Sequence, residues 1–284
     1  MLSVIIVNYK NPPLLRLCLG SLVQNVSPDF DFEVIVVDSE ASLETEMVVT
    51  EEFSSKFKHI RYAPFTENTG YTRGVNEGLK LATGDYMLVL NPDVIILKDS
   101  LEKLTAYMSE HPEIGLIGPE LLNFNGTHQP SCFRFYSPLT VISRRISHLP
   151  FAGRINDRFL LKDIDLSKPI AVDWIMGSAY MTSRQALEKT GLLDEYLFHY
   201  FSDVDWAQRF WDNGLQVVYY PYTQIYHYHQ RESKGSLGLF DIFTKKATRW
   251  HIRDAIRYFR KHGIRIKTKV PVANAPLATQ NAHS

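Results

Sequence analysis

The chain has 284 residues, which at roughly 150 residues per domain allows two units at most, or one large α/β domain with an appendage. Hydrophobic residues make up 45% and charged residues 22%, a soluble globular balance that excludes wholesale disorder, a collagen-like fibre and a disulfide-built miniature. Thirty-one Lys+Arg balance 31 Asp+Glu, yet between Lys245 and Lys269 ten basic residues meet one acid, Asp254, a local charge of +9. The other 21 basic and 30 acidic residues leave −9 on the body. An acidic body with a basic segment suits an anionic surface as a local partner, and nucleic acid is not an expected one. Cys18 and Cys132 form neither a disulfide framework nor a metal spacing. Residues 2–7 are too short for the apolar core of a signal peptide, and no stretch approaches the ~18 apolar residues of a membrane span. The expectation is a cytoplasmic protein, with peripheral contact on the inner membrane face left open.

Residues 2–7 (LSVIIV) predict a strand buried on both faces. Pro12 and Pro13 open a helix to about residue 24, and 33–38 (EVIVVD) is a second buried strand. A helix is expected over 42–55 with Ser42 as N-cap, a short strand over 60–63, a helix over 71–82 and a fourth buried strand over 86–90 (YMLVL). This alternation predicts a mostly parallel sheet covered by helices on both faces. Further on come a helix at 98–110, a mixed aromatic stretch with Arg144, Arg145, Arg154 and Arg158, and a strand over 172–182 interrupted at Gly177. Helices at 183–191 and 204–213, a strand at 217–220, a long helix at 245–262 and a tail at 271–284 complete the chain.

In such sheets ligands bind beyond the carboxyl ends of the strands. Those ends carry Asn8-Tyr9-Lys10, Asp38-Ser39, the loop through Asn68 and Gly70, and Asn91-Pro92-Asp93. Each set also reads as ordinary turn chemistry; four in succession favour a nucleotide site. Asp93, presented after a strand-ending proline, suits a divalent cation held by one carboxylate plus substrate phosphates, or a turn cap. Asp203 and Asp205 read either as helix N-terminal acids or as a site holding a general base among Phe198, His199, Tyr200 and Phe201. Two residues apart on a helix, the two acids point in different directions. His227 and His229 alternate on an extended segment, so only one reaches a given site. Arg249, Arg253, Arg257 and Arg260 share one helical face, either as a solvated face or for phospholipid headgroups or a pyrophosphate. Gly70, Gly74 and Gly78 do not form a dinucleotide fingerprint.

The ordered set VIIVNYK, VVDS, ENTGYTRGVNEGL, YMLVLNPDV, VDWIMGSAYMTSR, GLLDEYLFHYFSDVDWAQR and HYHQRES resembles family-2 glycosyltransferases with a GT-A fold. Within them it is similar to the bacterial rhamnosyltransferase branch, which builds O-antigens and other surface polysaccharides. The likeness runs from about residue 2 to 262. It implies an α/β Rossmann-like nucleotide-diphospho-sugar fold over 1–230, with a nucleotide-sugar half (1–97) and an acceptor half (98–230). A basic helical extension (231–270) and a flexible tail (271–284) follow. Val7, Asn8, Tyr9 and Asp38 are implied at the base, with Asn68, Gly70, Arg73 and Asn76 near base and ribose. Asn91 and Asp93 are implied at the diphosphate, and Asp93 and His227 at Mg²⁺ or Mn²⁺. Trp174, Gly177, Asp194, Glu195, Asp205 and Arg209 match the acceptor side. Asp203 matches the general base of an inverting transfer. Three positions depart from the family pattern: Ser39 for Asn, Asn91 for the first acid of D-x-D, and Ser202 for Glu.

The activity so implied is transfer of a sugar, dTDP-β-L-rhamnose being the favoured donor, onto a hydroxyl of a glycan or polyprenyl-diphosphate-linked acceptor. A UDP-hexose or UDP-N-acetylhexosamine donor and a non-catalytic carbohydrate-binding protein are the alternatives. A nicotinamide-dependent oxidoreductase fits the alternating first half but lacks the glycine fingerprint and its ribose-binding acid. The transferase reading requires Asp93 and Asp203, 110 positions apart, to face one cleft.

Overall fold

The structure is a computed structural model that describes residues 1–68, 70–144, 150–228 and 246–270. Thr69, Arg145, the 229–233 part of HYHQRES, Lys245 and the expected tail at 271–284 lie outside the described residues.

The four expected parallel-sheet strands are β1 (Leu2–Asn8), β2 (Phe32–Asp38), β3 (Ile60–Pro64) and β4 (Tyr86–Leu90). β1 pairs in parallel with both β2 and β4, and β2 with β3. The strand order therefore reverses between β1 and β4, and a crevice opens beyond their carboxyl ends. Helix α1 (Pro12–Asn25) starts on two prolines, harmless where the first-turn N–H groups have no helical partner. Ser42 caps α2 (Leu43–Met47) by accepting from the Thr45 N–H at 3.2 Å, and the helix runs on as a π turn over Val48–Glu52. Helix α3 (Tyr71–Leu81) lies almost on β1. A Cβ at Gly74 would stand 2.6 Å from Val7, and one at Gly78 2.2 Å from Ile5. Two of the glycines spaced four apart thus serve helix–strand packing.

The remaining elements are β5 (Val94–Ile96), α4 (Ser100–Glu110), β6 (Ile114–Leu122), β7 (His128–Gln129), β8 (Cys132–Phe133), α5 (Pro138–Ser143), α6 (Pro150–Phe159), β9 (Ile170–Ala171), β10 (Trp174–Ile175), β11 (Ala179–Ser183), α7 (Arg184–Thr190), α8 (Ser202–Asp212), β12 (Gln216–His227) and α9 (Lys246–His262). The main sheet runs β3-β2-β1-β4-β11-β6-β12-β5. β11 is antiparallel to β4 and β6, whereas β12 runs parallel to β6. The expected interrupted strand at 172–182 is two strands in different sheets, since β10 pairs with β8. The expected four-residue strand at 217–220 is twelve residues long. It passes Pro221 by a register shift between Tyr220 and Gln224, an irregularity that accommodates a residue with no N–H to give. β6 escaped sequence reading because Gly115, Gly118 and Pro119 masked it. Gly118 is small because Ile175 lies on it, 2.4 Å from where a Cβ would stand.

Apolar clusters cover both sheet faces. One gathers Leu15, Leu19 and Leu104 from α1 and α4, the other Val75, Trp206, Phe210 and Tyr258. The described part of the expected 231–270 extension belongs to the second cluster through Ala255, Tyr258 and Val270. It is also clipped by the buried Asp173, which accepts from the backbone N–H of Lys269 (2.6 Å) and Val270 (3.1 Å) and from the Thr268 hydroxyl (3.1 Å).

Candidate active site

A cleft of about 410 Å³ opens beyond the carboxyl ends of β1, β2 and β4. Val7, Tyr9, Asn11, Ser39, Asn68, Gly70, Asn91, Pro92 and Asp93 line one half. Tyr71, Met176, Gly177, Ser178, Phe198, His199, Tyr200, Asp203 and Trp250 line the other. Asp93 and Asp203 thus face one cavity. The first half derives from strand ends and is polar; the second is largely aromatic.

Asp203 sits in the first turn of α8. Phe201 precedes that helix in the left-handed region (φ 64°), a costly backbone for a bulky residue, with its ring buried against Tyr136 (4.8 Å) and Tyr258 (5.4 Å). The Asp203 carboxylate accepts from the Val204 N–H at 2.9 Å and the Gly177 N–H at 3.1 Å. Tyr71 donates to the Gly177 carbonyl at 2.6 Å. A Cβ at Gly177 would stand 3.1 Å from the Tyr71 oxygen and 3.4 Å from Asp203 Oδ2, so a side chain there would press on the Tyr71 hydroxyl and reach contact with the acid. Burial pushes the Asp203 carboxyl up to about 6, against the two backbone N–H groups that favour its charged form. An acid poised there can take a proton from a hydroxyl near neutral pH.

Asp93 lies where the end of β12 meets the loop after β4. Its carbonyl accepts from the Tyr228 N–H at 2.8 Å, and its Oδ1 is 3.5 Å from His227 Nε2. His227 Nδ1 is 2.7 Å from Gln129 Oε1, and the Gln129 amide nitrogen donates to Asn123 Oδ1 at 3.2 Å. With the amide oxygen as acceptor, Nδ1 carries a hydrogen and Nε2 is the ring atom turned toward Asp93. A carboxylate oxygen and an imidazole nitrogen with an oriented outer partner form a donor set for a divalent cation. Among the described residues no group of three or more His, Cys, Asp and Glu could hold a metal by itself. Phosphate oxygens and water would complete such a shell, the usual arrangement for Mg²⁺.

Several expected site residues stand elsewhere. Asp38 is fully buried and holds Ser42 N–H (3.0 Å), the Tyr62 hydroxyl (3.0 Å) and the Asn8 amide (3.2 Å). Asn8 also donates to Thr45. Neither lines the cleft; both fix the loop bearing Ser39. Arg73 donates to Glu195 at 3.0 Å, and Asn76 holds the backbone of Leu193 from both sides at 2.9 Å. On α3 these two residues turn away from Tyr71, so they anchor the 193–200 loop rather than line the cavity. Trp174 is buried, its indole donating to the Arg134 carbonyl. Asp194 binds Lys261 at 2.6 Å. Asp205 is fully buried between Arg209 (3.0 Å), Lys261 (2.7 Å) and His262 (2.7 Å), and Arg209 also donates to the carbonyls of Thr190 and Leu192. Trp174, Asp194, Glu195, Asp205 and Arg209 therefore brace the acceptor half and do not line it. Ser202 is buried too.

Sequence reasoning missed Trp250 as a wall of the cleft and Asp254 behind it. Asp254, fully buried on α9, accepts from the N–H groups of His199 and Tyr200, both at 3.2 Å. Its signal was present, since it is the single acid in a segment of ten bases. The expected face of four guanidiniums is reduced as well. Arg253 pairs with Asp254 (3.2 Å) and lies over Phe198, and Arg257 lies over the Tyr196 ring (4.1 Å) while donating to its carbonyl (2.6 Å). Arg249 and Arg260 remain exposed, with Ile256 and Ile264.

The sequence model described as "Glycosyl transferase family 2" matches residues 3–167. The chain belongs to this family. The transferase is 25% identical over 251 residues to the N-acetylglucosaminyl-diphospho-decaprenol L-rhamnosyltransferase of Mycobacterium tuberculosis, covering 83% of this chain and 78% of that one. It is 24% identical over 267 residues to the rhamnosyltransferase WbbL of Escherichia coli K12, covering 93% and 94%. Its GT-A fold is shared with GalNAc-T7, solved with UDP, GalNAc and Mn²⁺ (TM-score 0.63, 14% identity, 81% of this chain and 44% of that one). The mannosyltransferase PcManGT of Pyrobaculum calidifontis, solved with GDP-Man and Mn²⁺, shares it too (TM-score 0.58, 19% identity, 90% and 64%). The transferase spans less than half of the GalNAc-T7 chain.

Proposed function

We propose that this glycosyltransferase moves a sugar from a nucleoside-diphosphate donor to an acceptor hydroxyl with inversion, and that Asp203 is its general base. The observation that carries the proposal is the sharing of one cleft by Asp203, a desolvated acid with its carboxyl pushed up to about 6, and Asp93, whose Oδ1 lies 3.5 Å from His227. The donor lies in the polar half. Tyr9, 45% exposed, stacks on the base, while Ser39, Asn68 and Asn91 meet base, ribose and diphosphate. Asp93 and His227 would hold Mg²⁺ or Mn²⁺, and a bound cation would supply positive charge to offset the negative charge developing on the leaving group. The acceptor hydroxyl lies at Asp203, which takes its proton as the oxygen attacks the anomeric carbon from the face opposite the diphosphate. One displacement inverts the configuration, and no covalent intermediate on the protein is required.

The rhamnosyltransferase names of the two relatives matched over most of the chain support dTDP-β-L-rhamnose as donor, giving an α-L-rhamnoside. The name of the Mycobacterium tuberculosis relative also supports a lipid-diphosphate-linked sugar as acceptor. A UDP-N-acetylhexosamine donor is the second reading. It is favoured by the likeness to TarS of Staphylococcus aureus, a poly(ribitol-phosphate) β-N-acetylglucosaminyltransferase (29% identity over 170 residues). No helix among the described residues is long and apolar enough to cross a membrane. The exposed Arg249, Ile256, Arg260 and Ile264 support a peripheral contact with anionic lipid on the cytoplasmic side.

The test is release of dTDP from dTDP-rhamnose, against UDP from UDP-sugars, with N-acetylglucosaminyl-diphospho-lipid as acceptor. General-base assistance contributes about 10²–10⁴-fold, so Asp203→Asn should lose transfer by that factor while binding dTDP as before. Undiminished turnover in the variant would remove Asp203 from the mechanism.

A further inference from the structure

The cleft wall formed by α9 has no counterpart in the strand-end chemistry. Trp250 lies in the first turns of α9, partly exposed, and lines the cavity on the Asp203 side. Its ring stands 5.3 Å from Phe198 and 6.4 Å from His199, in tilted contact with both. The buried Asp254, one helical turn along, grips the backbone of His199 and Tyr200. The same helix therefore supplies one aromatic wall and holds the loop that supplies the rest. Among the described residues that line this half, Asp203 is the only carboxylate.

From this geometry we infer that Trp250, with Phe198 and His199 beside it, is the stacking platform for the acceptor's pyranose ring, and that α9 is thereby a specificity element of the site. The inference rests on the transferase reading above. A pyranose presents a face of C–H groups carrying slight positive charge, which the negative face of an indole attracts, and its rim of hydroxyls needs polar partners. This half of the cleft offers that combination: an aromatic wall, one acid, and the Ser178 residue beside it. The aromatic wall leads to the acid: Trp250 neighbours His199, His199 neighbours Tyr71 at 6.2 Å, and Tyr71 bonds the carbonyl of Gly177, whose N–H holds Asp203, so the occupant argued for is the sugar ring whose hydroxyl meets that acid.

Saturation-transfer NMR on the full chain tests this, with dTDP and Mg²⁺ present. The probes are the methyl glycosides of N-acetylglucosamine, rhamnose and galactose; dTDP affinity is measured in parallel by calorimetry. The expected result is ring-proton saturation of at least one glycoside, reduced tenfold or more in Trp250→Ala and largely kept in Trp250→Phe, with dTDP affinity within twofold throughout. Equal saturation in Trp250→Ala, or none for any glycoside in the unaltered protein while dTDP binds, would overturn the assignment. So would a tenfold fall in dTDP affinity in Trp250→Ala, which would make the ring a nucleotide contact instead. Failure of the unaltered protein to bind any of dTDP, UDP or GDP would remove the donor reading itself, and this subsite with it.

Discussion

The Asp203 carboxyl couples the cleft to stability, and the coupling can be worked out. Its ordinary pKa is 3.8 and burial raises it to about 6 in the native state. Folding then favours the protonated acid. The associated stability is complete below pH 3.8 and is lost as pH rises through 6. With those two values the loss between pH 5 and pH 8 is about 1–2 kcal/mol, out of a total of about 3 kcal/mol. Asp203→Asn does not titrate. Its amide has one acceptor oxygen for the two backbone N–H groups of Gly177 and Val204, a pH-independent cost of about 1–3 kcal/mol. That cost cancels when the variant is compared with its parent at two pH values. Urea unfolding at pH 5 and pH 8, with chelator and without nucleotide, should show the variant gaining about 1–2 kcal/mol on the parent, or roughly 2–6 °C in Tm. A difference that stays constant, or one that moves the other way, would refute the claim that desolvation governs this acid. It would also remove the reason for treating Asp203 as a base poised near neutral pH.

Three further outcomes are expected. Gly70→Ala should destabilise by about 1–3 kcal/mol in urea, because Gly70 sits at φ +82° and a Cβ would stand 2.6 Å from the Phe198 carbonyl. Gly126→Ala, at φ +79° with open space around it, should cost less. Gln129→Leu removes the partner that orients His227 and should weaken Mg²⁺-dependent dTDP binding 10–100-fold in calorimetry. Unchanged binding would dissociate His227 from the cation. Arg249→Glu combined with Arg260→Glu should abolish flotation with anionic vesicles while leaving transfer to a short-chain acceptor intact; equal recovery of the parent on neutral and anionic vesicles would sink the lipid contact.

The nucleotide-binding half was legible because its signals are local. Short continuous apolar runs at 2–7, 33–38 and 86–90, the first two rich in Val and Ile, read as strands buried on both faces, and with helices between them the parallel order and the position of the crevice follow from the chirality of the connections. Asp93 was reachable by that route, since a proline ends β4 just before it. The separation of Asp203 from Asp205 followed from helix geometry alone. Which of the two meets the cleft did not. Both carry the same charge in the same turn, and the choice lies with partners far along the chain: Lys261 and His262 claim Asp205, while Gly177 leaves room for Asp203. Arg73, Asn76, Asp194 and Glu195 lie close to the motif residues in sequence, but pairing among themselves and with Lys261 turns them into braces. The aromatic wall was decided only in three dimensions. Trp250 is 47 positions from Asp203, and no periodicity within α9 reveals that its first turns abut the 198–201 loop. A strand declares its burial by its own composition, whereas a site wall built by docking one element on another exists only once the long-range contacts have formed.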